Sequence, residues 1–290
     1  MKIALIGSTG QLGTDIIRAN NEDDFNYEIF ELSHDKIEIT DFEESYKTLK
    51  KITPDLVINT AAFHKVDACE EEQEKAYKIN TIGIRNIGTI CNRIKASIMH
   101  ISTDYVFDGK KKDKSKGYTE FDQPNPLNIY GRSKLEGEKI LKTVTQEYYI
   151  VRTAWLFGKG GSKSKGGNFV TTMLRLSESR KELSVVSDQM GSPTNTRFLA
   201  SQLLELAKYP YYGTYHAVCQ GMTSWYDYAK EIFRIAGKSI KVIPISSSEF
   251  RSKSDRPCFS ALDNYMLTLQ GLNKMPEWKT ALKQYLKEIL

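Results

Sequence analysis

The sequence predicts an α/β protein: a doubly wound parallel sheet joined to a smaller, more helical lobe. Three observations predict it. A glycine turn, "GSTGQLG", stands between an apolar run and a helical pattern. Apolar runs and helical patterns then alternate through the first half of the chain. From about Gly158 that alternation gives way to a glycine, serine and lysine stretch and then to mainly helical patterns.

Taken in order, "KIALIG" is short and continuously apolar, as a parallel strand buried on both faces reads. "TDIIRAN" follows as a helix. "YEIFEL", "DLVINTAA" and "SIMHIST" are further strands, with "FEESYKTLKKI" and "EKAYKINTIGIRNIGTICNRI" as helices between them. Such alternation implies right-handed crossovers and helices on both faces of the sheet. "YYIVRTAWLFG" supplies another strand, and "GKGGSKSKGGN" is a loop without periodicity, either flexible or a cover over a site. "NFVTTMLRLSES" is helical, "LSVVSD" reads as a strand returning to the sheet, and "GTYHAV" as one more. Ser224 caps a helix in which Trp225, Tyr228, Ala229, Ile232 and Phe233 recur at helical spacing and which Gly237 ends. "MPEWKTALKQYLKEIL" repeats that pattern through Trp278, Leu282, Tyr285, Leu286 and Ile289, and both stripes face a core.

With 290 residues, 40% hydrophobic and 27% charged, the chain has the composition of a globular protein of two modest lobes or one large α/β unit. Its +5 net charge is mild and spread out, which suits an anionic small molecule and excludes a nucleic-acid partner, since no basic stripe interleaves with aromatics. No run approaches the roughly 20 apolar residues that span a bilayer, and the N-terminal apolar stretch is too short for a signal peptide. Cys69, Cys91, Cys219 and Cys258 lack disulfide or zinc spacing and read as buried thiols of a reducing compartment. A soluble cytoplasmic protein without a membrane partner is expected.

Gly7, Gly10 and Gly13 sit where a backbone turn lets a pyrophosphate approach free N–H groups and the positive end of a helix dipole. With Gln11 and Leu12 they form the candidate cofactor turn, and the first lobe becomes a Rossmann-like dinucleotide-binding domain. Its expected extent is residues 1–157 with about 183–218; about 158–182 with 219–290 form the substrate-binding lobe. After "FEL" come Ser33 and His34, with no carboxylate squarely placed to repel a 2′-phosphate, so NADP is favoured and NAD tolerated. Asp41 faces the adenine or caps a helix. Ala61 and Ala62, in "NTAA", are small enough for a cofactor to lie against the backbone.

Tyr130 and Lys134 are four apart and share a helical face. A free phenol titrates near 10 and gives up its proton usefully only when a neighbouring cation favours the phenolate, a role Lys134 would fill. "STDYVFDG" places Thr103 directly after an apolar strand, at the carboxyl end where ligands bind in an open α/β sheet. Thr103 would hold a ketone oxygen, Tyr130 protonate it, and Lys134 tune the phenol and hold the cofactor ribose. None of the four histidines has ligand spacing; His64 and His216 read as hydrogen-bonded structural residues.

These motifs, with "NTAAFHKVDACE", "PLNIYGRSKLEGE", "VRTAWLFG", "DQMGSPT" and "SDRP" in order, resemble the extended short-chain dehydrogenase/reductases, and within them the dTDP-4-dehydrorhamnose reductase family. The G-x-x-G-x-x-G spacing is the variant found in that superfamily. The resemblance runs from the first strand to the last helix. It implies reduction of the 4-keto group of dTDP-4-dehydro-β-L-rhamnose to dTDP-L-rhamnose by NADPH or NADH. Carried over, it places Thr103, Asp104, Tyr105, Tyr130 and Lys134 at the active centre and Trp155 on the sugar ring. Asn168, Gln189 and Arg256 fall around the nucleotide-sugar, Arg256 on the diphosphate. The alternatives are another nucleotide-sugar reductase or epimerase, and a non-catalytic regulatory subunit resembling the β subunit of methionine adenosyltransferase. Some family members dimerise around magnesium through carboxylates near the first helix. Here Asp15 has no acidic counterpart in residues 194–197, so no metal is predicted, and a homodimer stays open.

Overall fold

In the computed structural model, which describes residues 1–160, 167–250 and 252–290, six parallel strands form the central sheet in the order β10-β5-β4-β3-β1-β2. These are β1 (Lys2–Ile6), β2 (Glu28–Leu32), β3 (Leu56–Asn59), β4 (Ser97–Thr103), β5 (Tyr148–Thr153) and β10 (Gly213–His216). From β1 the chain steps to β2 on one side and then returns to β3 on the other. That reversal leaves a crevice between the carboxyl ends of β1 and β3, where open α/β sheets take ligands.

Both faces are covered, so the strands read as unbroken apolar runs rather than alternating ones. On one face α2 (Phe42–Ile52), α5 (Ile84–Ile94) and α6 (Ile129–Val144) bury Leu49, Ile84, Ile87 and Leu141 against Ala4, Ile6 and Ile98. On the other, α1 (Gln11–Glu22) and α8 (Thr196–Leu206) pack with Ile16, Leu199 and Leu203 on Ile3, Leu5 and Val151. The same cluster takes in Tyr228 and Ile232 of α9 (Trp225–Ile235) and Trp278 and Leu282 of α12 (Trp278–Ile289). The helical stripes read from the sequence thus face a core, and that core is shared between the two expected lobes. Ser224 caps α9 by accepting from Asp227 N–H, and Gly237 follows the helix in the left-handed region.

The structure departs from the sequence reading in three elements. "LSVVSD" does not return to the sheet: β7 (Glu182–Val186) pairs in parallel with β12 (Lys241–Ile245) in a separate two-stranded sheet. Residues 182–186 thus pair with residues 241–245 and not with the six-stranded sheet. The single strand expected in "YYIVRTAWLFG" breaks after Thr153, because Trp155 adopts φ +44°, and resumes as β6 (Leu156–Phe157), paired with β9 (Thr194–Asn195). The long helix before β4 is α4 (Gln73–Tyr77) running through a six-residue π segment, Lys78–Gly83, into α5. In that segment Asn80 donates to Ser133 Oγ at 3.0 Å and tethers α6. The expected loop cover falls largely on residues 161–166, outside the described residues.

Candidate active site

The cofactor turn is built as its glycines require. Gly7 ends β1 with φ +81°, and a Cβ there would lie 2.5 Å from Thr60 Oγ1, so β1 and β3 touch at their tips. A Cβ on Gly13 would fall 2.3 Å from the Gly7 carbonyl oxygen, which is how tightly the first turn of α1 folds onto the loop. Gly10 is the N-cap, and no side chain takes up the free N–H groups of α1. The Gln11 amide, oriented with its oxygen toward donors, accepts from the N–H groups of Phe157 and Gly158. Leu12 is buried in the core, leaving only its backbone for a ligand. Ala61 and Ala62 follow β3 and are partly exposed. Asp41 caps α2, accepting from Glu44 N–H at 2.9 Å, a bond worth about 1 kcal/mol in such caps. At the tip of β2, Asp35 is exposed and hydrogen-bonded to Ser33, which holds its carboxyl below the usual range.

Thr103 is the last residue of β4, and Tyr130 lies in the first turn of α6, whose N-cap Asn128 accepts from Gly131 N–H at 2.8 Å. A Cβ at Gly131 would meet the Tyr105 carbonyl oxygen at 2.2 Å, so the absence of a side chain there lets α6 press on the segment after β4. Tyr105 and Tyr130 meet edge to face, ring centroids 5.8 Å apart. The Thr103 hydroxyl donates to Asp104 Oδ1 at 3.1 Å and accepts from Tyr105 N–H. Asp104 Oδ2 and Thr153 Oγ1 are buried without partners, and Thr153 stands opposite Thr103 on the neighbouring strand. Two orphaned oxygens beside the crevice are what a site awaiting a polar ligand presents.

Burial pushes Asp104 up to about 7, with the nearby Ser260 and Thr103 hydroxyls favouring its ionised form. Burial likewise raises Tyr130, with the Thr103 hydrogen bond pulling it back. Lys134 is 1% exposed and lowered to about 7 by burial, which Glu138 opposes. Its Nζ bonds the Ile101 carbonyl at 2.6 Å and lies 3.1 Å from His100 Nε2. The two share a helical face; burial is the largest influence on the phenol, and the Lys134 nitrogen is bonded to the Ile101 carbonyl of β4.

Trp155 stacks on Trp225 with centroids 3.5 Å apart, and Gly191 leaves room for its ring. A left-handed tryptophan costs of order 1–3 kcal/mol, a strain that functional positions often carry. Arg256 approaches Asp67 at 3.4 Å, has a buried Nε without a partner, and lies close enough to Tyr105 to draw its phenol pKa down against burial. Gln189 donates to Ser247 Oγ at 2.9 Å. Asn168 is otherwise employed: it caps α7 (Phe169–Ser177) by accepting from Thr171 N–H and donates to the Gly158 carbonyl and the Tyr285 hydroxyl. Its amide is committed to holding the chain, which argues against the substrate contact expected of it.

Other expectations fare variously. His216 is fully buried, with Nδ1 facing the Tyr118 and Asp263 carbonyls, as a structural histidine should be; His64 Nδ1 lies 3.4 Å from the Ala62 carbonyl. Cys258 is exposed, contrary to the buried thiol expected. Asp15 accepts from the Thr196 hydroxyl, while Arg18 pairs with Glu288 and Arg197 with Glu22 and Asp23 around it. Among the described residues no group of three or more His, Cys, Asp or Glu is placed to hold a metal, and no helix is long and apolar enough to cross a membrane.

The sequence reading missed Asn59, His100, Glu138, Arg152 and Ser260. Glu138 carried a signal, since it is one turn beyond Lys134 on the same face. Asn59 and His100 are opposite one another in the β3–β4 register, which only pairing reveals.

Among curated relatives, a "spore coat polysaccharide biosynthesis protein SpsK" of Bacillus subtilis is 39% identical over 287 residues, covering 99% of this chain and 97% of the relative. A crystal structure of a dTDP-4-dehydrorhamnose reductase from Clostridium acetobutylicum superposes with a TM-score of 0.93 at 43% identity, covering 100% of this chain and 99% of that one. That of dTDP-4-dehydrorhamnose reductase from Bacillus anthracis, in complex with NADP, gives 0.92 at 39% identity, with 99% of both chains covered. The family described as "RmlD substrate binding domain" matches residues 1–290. The chain belongs to that family.

Proposed function

We propose that this protein is an NAD(P)-dependent reductase that converts dTDP-4-dehydro-β-L-rhamnose to dTDP-L-rhamnose by reducing its 4-keto group. The observation that carries the reading is the meeting of Thr103 and Tyr130 at the carboxyl end of β4, above a buried Lys134, in a chain that matches 4-keto sugar-nucleotide reductases over its whole length. NADP is the cofactor, as in the Bacillus anthracis relative. Its fit is supported by the glycine cradle, the uncapped N-terminus of α1 and the orphaned oxygens of Asp104 and Thr153. Gly7, Gly10, Gln11, Leu12 and Gly13 would hold the pyrophosphate, Ala61 and Ala62 the body of the dinucleotide, and Tyr130 and Lys134 its ribose; Asp41 is left to its cap.

When bound, the cofactor supplies a hydride to the carbonyl carbon. The chain's own residues do the rest. Thr103 donates to the carbonyl oxygen, which requires its hydroxyl to leave Asp104 Oδ1. Burial raises Asp104 to about 7, and its protonated form releases that hydrogen more readily than a carboxylate would. Tyr130 delivers its proton to the same oxygen as charge develops there. Arg256 exchanges Asp67 for the diphosphate, whose geometry its fork matches. Trp155, its ring stacked on Trp225, would pack on the sugar, with Tyr105 and Gln189 as further substrate contacts. A cytoplasmic homodimer belongs to this reading; sedimentation velocity checks the assembly.

The test is oxidation of NADPH on mixing with the 4-keto sugar nucleotide, with dTDP-L-rhamnose identified by mass and stereochemistry. No oxidation by folded protein with either NADPH or NADH would end the proposal. Gly13→Ala is expected to weaken NADPH binding at least tenfold, because the added methyl must push the loop off its carbonyl, an overpacking that costs about 1–3 kcal/mol. Fluorescence titration of NADPH reads the loss, and unchanged affinity would remove the turn from the cofactor site.

A further inference from the structure

We infer that in the nucleotide-free protein Asn59 and His100 form a tautomer lock that presents a hydrogen-bond donor to Lys134 and favours its neutral amine. All three side chains are shut off from solvent, and the first two face each other across β3 and β4. Asn59 is oriented by the backbone two residues on: its Oδ1 accepts from Ala61 N–H at 3.3 Å, and its Nδ2 faces the Ala61 carbonyl at 3.4 Å. That orientation puts an N–H group 3.1 Å from His100 Nδ1. Nδ1 must then accept, and a neutral imidazole that accepts at Nδ1 carries its hydrogen on Nε2. Nε2 lies 3.1 Å from Lys134 Nζ. An ammonium has no lone pair to receive a donor, whereas an amine has one.

The amine inventory closes. Its lone pair takes the His100 hydrogen, one hydrogen goes to the Ile101 carbonyl at 2.6 Å, and one is left for a ligand. With a charged lysine, His100 would have to carry its hydrogen on Nδ1, against the Asn59 N–H, unless the amide turned over and gave up both bonds to Ala61. The electrostatics agree in direction. Burial lowers Lys134 to about 7 and holds His100 well below its ordinary value, so the imidazole stays neutral. The charges around the amine are few: Glu138, one turn along α6, favours the ammonium, but its carboxylate is held by Arg152 of β5 and Ser102 of β4. Tyr130 lies one turn back on α6, and Asp104 follows β4.

Charging Lys134 therefore requires the imidazole to move its proton and the Asn59 amide to turn, which frees the Ala61 backbone that borders the crevice. Asn59 and His100 are positioning residues, acting through Lys134. The inference deepens the proposed chemistry at the same lysine, but its test needs neither substrate nor cofactor, so the two fail separately.

The experiment is a long-range ¹H–¹⁵N correlation on histidine-labelled full-length protein at pH 7.5 without nucleotide. His100, identified by the signal lost in His100→Gln, is expected as the Nε2–H tautomer. His216, whose Nδ1 faces two carbonyls, is expected as Nδ1–H and supplies the contrast in one spectrum. In Asn59→Asp the carboxylate accepts from Nδ1–H, so the tautomer inverts. The Lys134 ¹³Cε titration, assigned with Lys134→Arg and expected near pH 7 in the unaltered protein, then moves up by at least one pH unit. An Nδ1–H His100 in the unaltered protein overturns the lock even if Asn59→Asp does not fold, and so does a folded Asn59→Asp with an unmoved Lys134.

Discussion

Tyr130→Phe is expected to lower kcat by about 10²–10⁴-fold, the usual contribution of a positioned general acid, while NADPH affinity changes by less than about threefold. In free energy this is about 2.7–5.5 kcal/mol of transition-state stabilisation. The substitution removes one hydroxyl and keeps the ring that meets Tyr105 edge to face, so packing at the start of α6 is preserved. The pH dependence separates this role from a structural one. Reduction needs the phenol with its proton on, and burial raises the Tyr130 pKa above its ordinary value, so the acid form persists throughout the neutral range and beyond. Burial moves both Asp104 and Lys134 to about 7, so a change of rate near that pH is expected from them and should survive in the phenylalanine variant at its lower rate. Steady-state kinetics from pH 6 to 9 would check both. A variant with wild-type kcat would leave the proton donor to be sought elsewhere.

Much of this site was legible because its parts are local. Gly7, Gly10 and Gly13 declare a turn because they stand between an apolar run and a helical pattern, and the four-residue step from Tyr130 to Lys134 declares a shared helical face. The strand ends follow from apolar runs that stop at Thr103 and Asn59. What the letters withheld was how neighbouring segments share polar groups. Asn168 looks like a ligand residue in a sequence, yet the fold gives its amide a helix cap, a carbonyl and a tyrosine. Lys134 looks like the partner of Tyr130, yet β4 supplies a carbonyl and a histidine that claim its nitrogen first. "LSVVSD" has a strand's composition, but which sheet it joins depends on β12, more than fifty residues later. Trp155 gives no sign of a left-handed backbone, since the room for its ring comes from Gly191, on a segment distant in sequence.

The same reasoning predicts the largest stability effect at Glu138. This carboxylate is 1% exposed and meets Arg152 through three bonds, Nε to Oε1 at 3.0 Å and to Oε2 at 3.2 Å and Nη2 to Oε2 at 2.7 Å, with the Ser102 hydroxyl on Oε1. Arg152 lies over the Phe107 ring and reaches toward His216, so it too is cut off from water. Glu138→Ala is expected to cost about 3–5 kcal/mol, because it strands a guanidinium in the interior rather than because the pair is strongly attractive. That distinction is itself measurable. If desolvation dominates, Arg152→Met should cost a similar amount, and the Glu138→Leu, Arg152→Met double variant should lose much less than the sum, since no uncompensated charge is left. Urea unfolding midpoints on the four proteins close the cycle, and additive losses would mean that each side chain stabilises the fold through packing alone. The consequence reaches the active site, because Glu138 is the charge that favours the protonated form of Lys134. A folded Glu138→Gln protein should therefore titrate Lys134 at lower pH than the unaltered chain, tying the stability of the α6 face to the chemistry one turn away.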